Sequence, residues 1–155
     1  MITIQQVQEE IINEFIVFDD WMDRYNYLIE LSNELPAIDP KLKNNDYLIR
    51  GCQSKVWLNA EYNDGRIIYT ADSDAIITKG IIALLIRVLS NRTPQEIVNA
   101  NLEFIETIGL RQNLSPTRAN GLLSMIKQMK LYAIAYDAKE KKNWRRYSDE
   151  WKYGS

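Results

Sequence analysis

One stretch restricts the possible folds of this chain more than any other. From Ala75 to Leu89 only Thr78, Lys79 and Arg87 carry polar side chains, so a helix here would be apolar on nearly every face. Such a helix needs neighbours all round and becomes the buried spine of a domain. At fifteen residues, interrupted by Lys79, Gly80 and Arg87, it is too short and too charged to span a bilayer. Gly80 within it costs about 1 kcal/mol of helix propensity against alanine, which points to a close backbone approach. Upstream, Asp72-Ser73-Asp74 offers side-chain oxygens to the orphan amides of the first turn, so Asp72 and Asp74 read as helix caps rather than catalysts.

The flanking sequence supplies the shell. Ser54 to Tyr62 alternates, with Val56, Leu58, Ala60 and Tyr62 on one face and Trp57, Asn59 and Glu61 on the other. Asn63-Asp64-Gly65 turns this strand back on Arg66 to Ala71. Tyr47 to Arg50 reads as a third, short strand. Towards the N-terminus, Thr3-Ile4-Gln5-Gln6 resembles a capping box for a helix over residues 4–17, and Asp20 caps a second that ends before Pro36. Pro36 to Asp46 is a polar loop. After the spine, Thr93-Pro94-Gln95-Glu96 opens a short helix to Asn99, and Asn101 is placed to cap another that ends near Gly109. Leu114-Ser115-Pro116 opens the last long helix, with Ala119, Leu122, Ile126, Met129 and Ala133 on its inner face. The expected fold is α+β, a small three-stranded antiparallel sheet packed against a layer of helices. A chain of 155 residues is one domain's worth. We expect that domain over residues 1–138; from Lys139 the periodicity dissolves, and residues 139–155 read as a mobile or loosely docked basic, aromatic tail.

Composition removes whole classes of chemistry. There is no histidine, which excludes Ser/His/Asp and Cys/His catalytic arrangements and the commonest metal ligand. The single cysteine, Cys52, cannot form an internal disulfide, and a free thiol suits a reducing cytoplasm. Met1 to Gln5 lacks the basic and apolar segments of a secretory signal, so no membrane association is expected. Residues 1–46 carry ten acids and three bases, whereas residues 139–155 carry six bases and three acids. The acidic first third argues against a nucleic-acid groove across the whole face. Trp144, Tyr147, Trp151 and Tyr153 give the tail a mix that can touch nucleic acid by charge and stacking. A surface extension lying against the domain is the simpler reading, and no nucleic-acid partner is expected.

Cys52 follows Gly51 at a tight reversal between two strands, which puts the lone thiol at a loop tip. Two readings stand at this point: a reactive sulfur, or an inert and partly buried one. Gly51, Gln53 and Ser54 form the supporting loop. Arg50 and Lys55 flank it closely and are candidates to favour the thiolate, unless strand alternation turns them away. Arg118, two residues past Pro116, is a surface charge, a structural partner, or a group lining the cysteine region.

Four blocks in order resemble the SufE family of sulfur-acceptor proteins. They are Gly51-Cys52-Gln53-Ser54-Lys55-Val56-Trp57-Leu58, then Asp72-Ser73-Asp74-Ala75-Ile76-Ile77-Thr78-Lys79-Gly80, then Thr93-Pro94-Gln95-Glu96-Ile97, and Leu114-Ser115-Pro116-Thr117-Arg118-Ala119-Asn120-Gly121-Leu122. The resemblance covers about residues 3–138. It implies an α+β fold shared with iron–sulfur scaffold proteins, and a sulfur carrier rather than an enzyme. Cys52 would accept persulfide sulfur from a SufS-like cysteine desulfurase and pass it to a downstream iron–sulfur scaffold. The pyridoxal phosphate belongs to the desulfurase, and the carrier needs no cofactor or metal of its own. The docking surface would surround Cys52 and include the segments at Asp72–Asp74 and Ser115–Arg118. The carrier itself would be a monomer or homodimer. The alternatives are an iron–sulfur scaffold, which normally needs several cysteine ligands where this chain has one, and a thiol-dependent redox protein.

Overall fold

A computed structural model describes the backbone of residues 2–153 and the side chains of residues 2–143. Two helices, α1 (Ile4–Phe15) and α2 (Trp21–Leu31), open the chain. The α1 cap is reciprocal: Gln6 N donates to Thr3 Oγ1 at 3.1 Å, and Thr3 N donates to Gln6 Oε1 at 2.8 Å. Asp20 caps α2 by accepting from Asp23 N at 2.9 Å. Short 3-10 turns then lead to an antiparallel hairpin, β1 (Val56–Asn63) and β2 (Arg66–Ser73), in register from Val56 opposite Ser73 to Asn63 opposite Arg66. Its two-residue turn holds Asp64 at φ 53° and Gly65 at φ 81°, the doubly positive backbone that matches strand twist.

The sheet has two strands, not three. Asn45–Tyr47 is wound into a 3-10 turn, leaving only Leu48 and Ile49 extended before the Gly51 reversal. That length supports one bridge, Leu48 to Trp57, and one further bond from Ile49 N to Val56 O at 2.8 Å. The other edge is met in the same way, by single bridges from Ala37 to Ala71 and from Arg92 to Ile67.

Helix α3 (Ile76–Leu89) is the spine, buried over most of its length from Thr78 to Leu89. Gly80 permits α2 to cross it, since a Cβ there would collide with the Leu28 carbonyl group. The expected aspartate caps are absent. The residue preceding α3 is Ala75, which makes no side-chain cap. Because β2 stays extended as far as Ser73, its polar groups turn instead to the strand opposite. Asp74 Oδ1 accepts from Lys55 N at 3.0 Å, and Ser73 Oγ donates to Lys55 O at 2.9 Å. Asp72 accepts from Ser73 N and pairs with Lys43 at 2.9 Å and Lys79 at 3.4 Å.

Helices α4 (Pro94–Asn99) and α5 (Phe104–Thr107) follow, the first with the expected Thr93–Glu96 capping box. Asn101 does not cap α5, because its amide is drawn to Glu103. Buried Gln8 from α1 bridges that loop instead, donating to Asn101 O and accepting from Phe104 N. Gly109 ends the segment at φ 70°, as expected of a residue after a helix. The last helix, α6 (Pro116–Tyr153), buries Leu122, Met125, Met129 and Ala133. The fully buried Tyr69 ties β2 to it through a 2.6 Å bond to Met129 O. Helix α6 crosses Lys139 without a break, so the expected tail is helical through Tyr153. The side chains of Trp144, Tyr147, Trp151 and Tyr153 lie outside those described. Among the described residues, no helix is long and apolar enough to cross a membrane.

Candidate functional site

The Gly51 turn is clamped at both ends. Ile49 N bonds across to Val56 O, and Lys55 is held through both its amide and its carbonyl by Asp74 and Ser73. Between the clamps, Gly51 adopts φ 91°, and a Cβ on it would come within 2.5 Å of Ser124 Oγ on α6. Glycine is therefore required both by conformation and by space. The reversal delivers Cys52 half-buried against α6, where its Sγ donates to Gly121 O at 3.6 Å. Gly121 lies against the sulfur, where a Cβ would sit in ordinary contact 3.6 Å from Sγ.

Beside the sulfur lies a cleft of about 310 Å³. The turn forms one wall through Cys52, Gln53 and Ser54. Thr78 and Ile81 of α3 form the second, and the start of α6, with Ser115, Thr117 and Arg118, forms the third. Of the residues singled out in the sequence, the structure brings Cys52, Gln53, Ser54 and Arg118 to this cleft. Asp74 buttresses it from behind. Asp72 stands apart, paired with Lys43 and Lys79.

Neither Arg50 nor Lys55 lines the cleft beside the thiol. Arg50 is exposed and lines a separate groove with Asp46, Ser124 and Lys127, while the Lys55 side chain is exposed and only its backbone is held. Burial alone pushes the Cys52 thiol above the usual range. At rest the sulfur is a shielded thiol at the mouth of a polar cleft. Thr78, Gly121 and Ser124 were not singled out as site residues. Gly121 and Thr78 carried a weak signal, since each lies inside one of the family-like blocks; Ser124 carried none, because its importance arises only where α6 and the turn meet.

The SufE profile, described as an Fe-S metabolism associated domain, matches residues 9–133. The chain belongs to the SufE family. Cys52 and the whole SufE cleft lie inside the matched span. An uncharacterized SufE-like protein of Synechocystis is 38% identical over 127 residues, covering 82% of this chain and 80% of that protein. The SufE-like protein 1, chloroplastic/mitochondrial, of Arabidopsis thaliana is 36% identical over 132 residues; the match covers 84% of this chain but only 36% of that longer protein. The SufE fold is matched by a solution structure of a hypothetical protein from Thermus thermophilus. The TM-score is 0.69 at 18% identity, over 83% of this chain and 94% of that one.

Proposed function

We propose that this chain is a sulfur carrier, accepting persulfide sulfur on Cys52 from a pyridoxal-phosphate cysteine desulfurase and passing it to an iron–sulfur scaffold. The observation that carries the proposal is the placement of the single thiol, on a glycine-dependent turn at the mouth of a cleft, within a SufE domain. Transfer requires one accessible nucleophilic sulfur. The Cys52 sulfur loses its proton and bonds to the terminal sulfur of the donor persulfide. The donor's S–S bond breaks, its electron pair stays on the donor sulfur, and that sulfur takes up the proton. The products are a donor thiol and a Cys52 persulfide, with no external oxidant or reductant.

A thiol held protonated by burial is protected from oxidation while idle. The turn must therefore present Cys52 to the donor, where a less shielded environment lowers its pKa. The chain brings no cofactor to this step and works in a reducing compartment. The deciding experiment incubates the protein with a cysteine desulfurase and free cysteine and records intact mass. Wild type should gain one sulfur atom and Cys52→Ser none. A Cys52→Ser variant that stimulates the desulfurase as well as wild type would refute the carrier function.

A further inference from the structure

The described side chains include four buried polar or charged ones: Gln8, Ser32, Thr78 and Arg92. Three are accounted for. Gln8 bonds Asn101 O and Phe104 N, Ser32 bonds Ile29 O, and Arg92 pairs with Glu96. Thr78, only 5% exposed, makes no side-chain hydrogen bond among the described residues. The usual resolution for a helical threonine is a bond to the carbonyl four residues back, as Thr107 makes to Glu103 O at 3.0 Å. Thr78 makes no such bond; the residue four back is Asp74, which lies outside α3 in the segment that clamps Lys55. Its hydroxyl is not sealed in either, since no enclosed side-chain polar atom lacks a partner among the described residues. It opens into the space it lines, which is the Cys52 cleft.

The hydroxyl keeps some exposure to that cleft, where it can donate a hydrogen bond to a group that enters. The surroundings specify a small anion. Arg118 is the one charged residue in the cleft lining, which includes no acid among the described residues. Nearby charges are engaged elsewhere: Lys79 with Asp72, the Asp74 carboxylate with the Lys55 amide, and Arg50 in its separate groove. The first turn of α3 has no side-chain cap, and a helix N-terminus favours negative charge.

We infer that Thr78 is a persulfide-binding residue, its hydroxyl donating a hydrogen bond to the outer, anionic sulfur of a loaded Cys52. This inference rests on the carrier function proposed above and assigns the cleft its occupant. A persulfide is a stronger acid than the thiol it replaces, so loading converts a neutral sulfur into an anion one bond further into the cleft. Thr78 meets it there.

The test loads Cys52 with inorganic polysulfide, so no desulfurase is involved, and follows alkylation of the persulfide by iodoacetamide as a function of pH. Thr78→Val removes the hydroxyl and keeps the shape; it should shift the alkylation midpoint upward by about one pH unit, the size expected for a hydrogen bond to a charged group. Thr78→Ser should restore it. The unloaded thiol should titrate alike in all three proteins, and Thr78→Ala replaces the valine variant if its melt shows a disturbed α3. Coincident persulfide profiles for wild type and Thr78→Val would overturn the assignment, as would an equal shift in the unloaded thiol. Failure of wild type to take sulfur from a desulfurase would defeat the carrier function instead, and would be visible separately by intact mass.

Discussion

Gly51 sets the position of Cys52, and two separable forces hold it to glycine. Alanine at φ 91° is strained by roughly 1–2 kcal/mol, and its Cβ would also collide with Ser124 Oγ. Gly51→Ala should therefore destabilise by about 2–3 kcal/mol in urea melts. Adding Ser124→Ala removes the hydroxyl from the collision and should recover about half of the loss, leaving the conformational part. No recovery would mean that backbone strain acts alone. The raised pKa of Cys52 gives a second expectation, with a definite sign. The folded chain holds its thiol proton to higher pH than the unfolded chain, so the folding stability tied to it is intact below the ordinary thiol pKa and falls as pH rises through the folded value. Alkylation of native protein at neutral pH should accordingly be slow. In denaturant its midpoint should drop to about 8.5, the value of an unshielded cysteine. A native midpoint at or below that value would show that a cation activates the resting sulfur after all.

At the scale of elements, the caps at Thr3, Asp20 and Thr93, the β1–β2 turn and the apolar α3 were legible because each depends on residues a few positions apart. The failures share one cause, competition from a distant partner. Asp74 satisfies a β1 amide rather than the start of α3, and Gln8 supplants Asn101 from more than ninety residues away. A strand at Tyr47–Arg50 is cut short by the 3-10 turn before it. The cleft follows the same rule: the Cys52 turn was readable as local chemistry, but Thr78 required knowing that α3 faces the sulfur. Gly80 was legible as a close approach, and the structure names its partner. Gly80→Ala gains about 1 kcal/mol of helix propensity but pushes a methyl into the Leu28 carbonyl, so the net result should be a loss of about 2 kcal/mol in chemical denaturation. A stabilised variant would show that α2 can shift away freely. Helix α1 is tied to α3 differently, by Glu14 with Arg87 at 2.9 and 2.5 Å, and Glu14 also accepts from Tyr27 of α2. The Arg87 bonds hold the Glu14 carboxyl below its usual range, so this contribution is present at neutral pH and lost as pH falls through the depressed value. Glu14→Gln should cost about 1 kcal/mol at pH 7, given the partial exposure of the pair, and almost nothing in strong acid. Thermal melts at both pH values read the difference.

For the molecule as a whole, the open question is where the folding unit ends along α6. Among the described residues, Ala133 is the last of this helix in the buried core, and the family match ends at the same position. One turn later, Tyr136 still engages the sheet: its hydroxyl donates to Ala60 O at 3.0 Å, and its ring stacks on Tyr62 with centroids 5.2 Å apart. From Ala138 to Asn143 every described side chain is exposed. The Lys141–Asp137 pair there is a surface contact of the kind worth about 0.3–0.5 kcal/mol. Residues 138–143 thus add little buried surface, and helix propensity alone barely sustains a short segment. Removing residues 139–155 should therefore lower the unfolding free energy by less than about 1 kcal/mol and leave sulfur loading of Cys52 unchanged. Tyr136→Ala, only three residues before the cut, should cost about 2 kcal/mol, since it loses a stacked ring and leaves a strand carbonyl without its hydroxyl partner. Urea melts of the two variants beside wild type make the comparison. If the truncation costs as much as Tyr136→Ala, residues past Lys139 bury surface of their own, and the domain extends beyond residue 138.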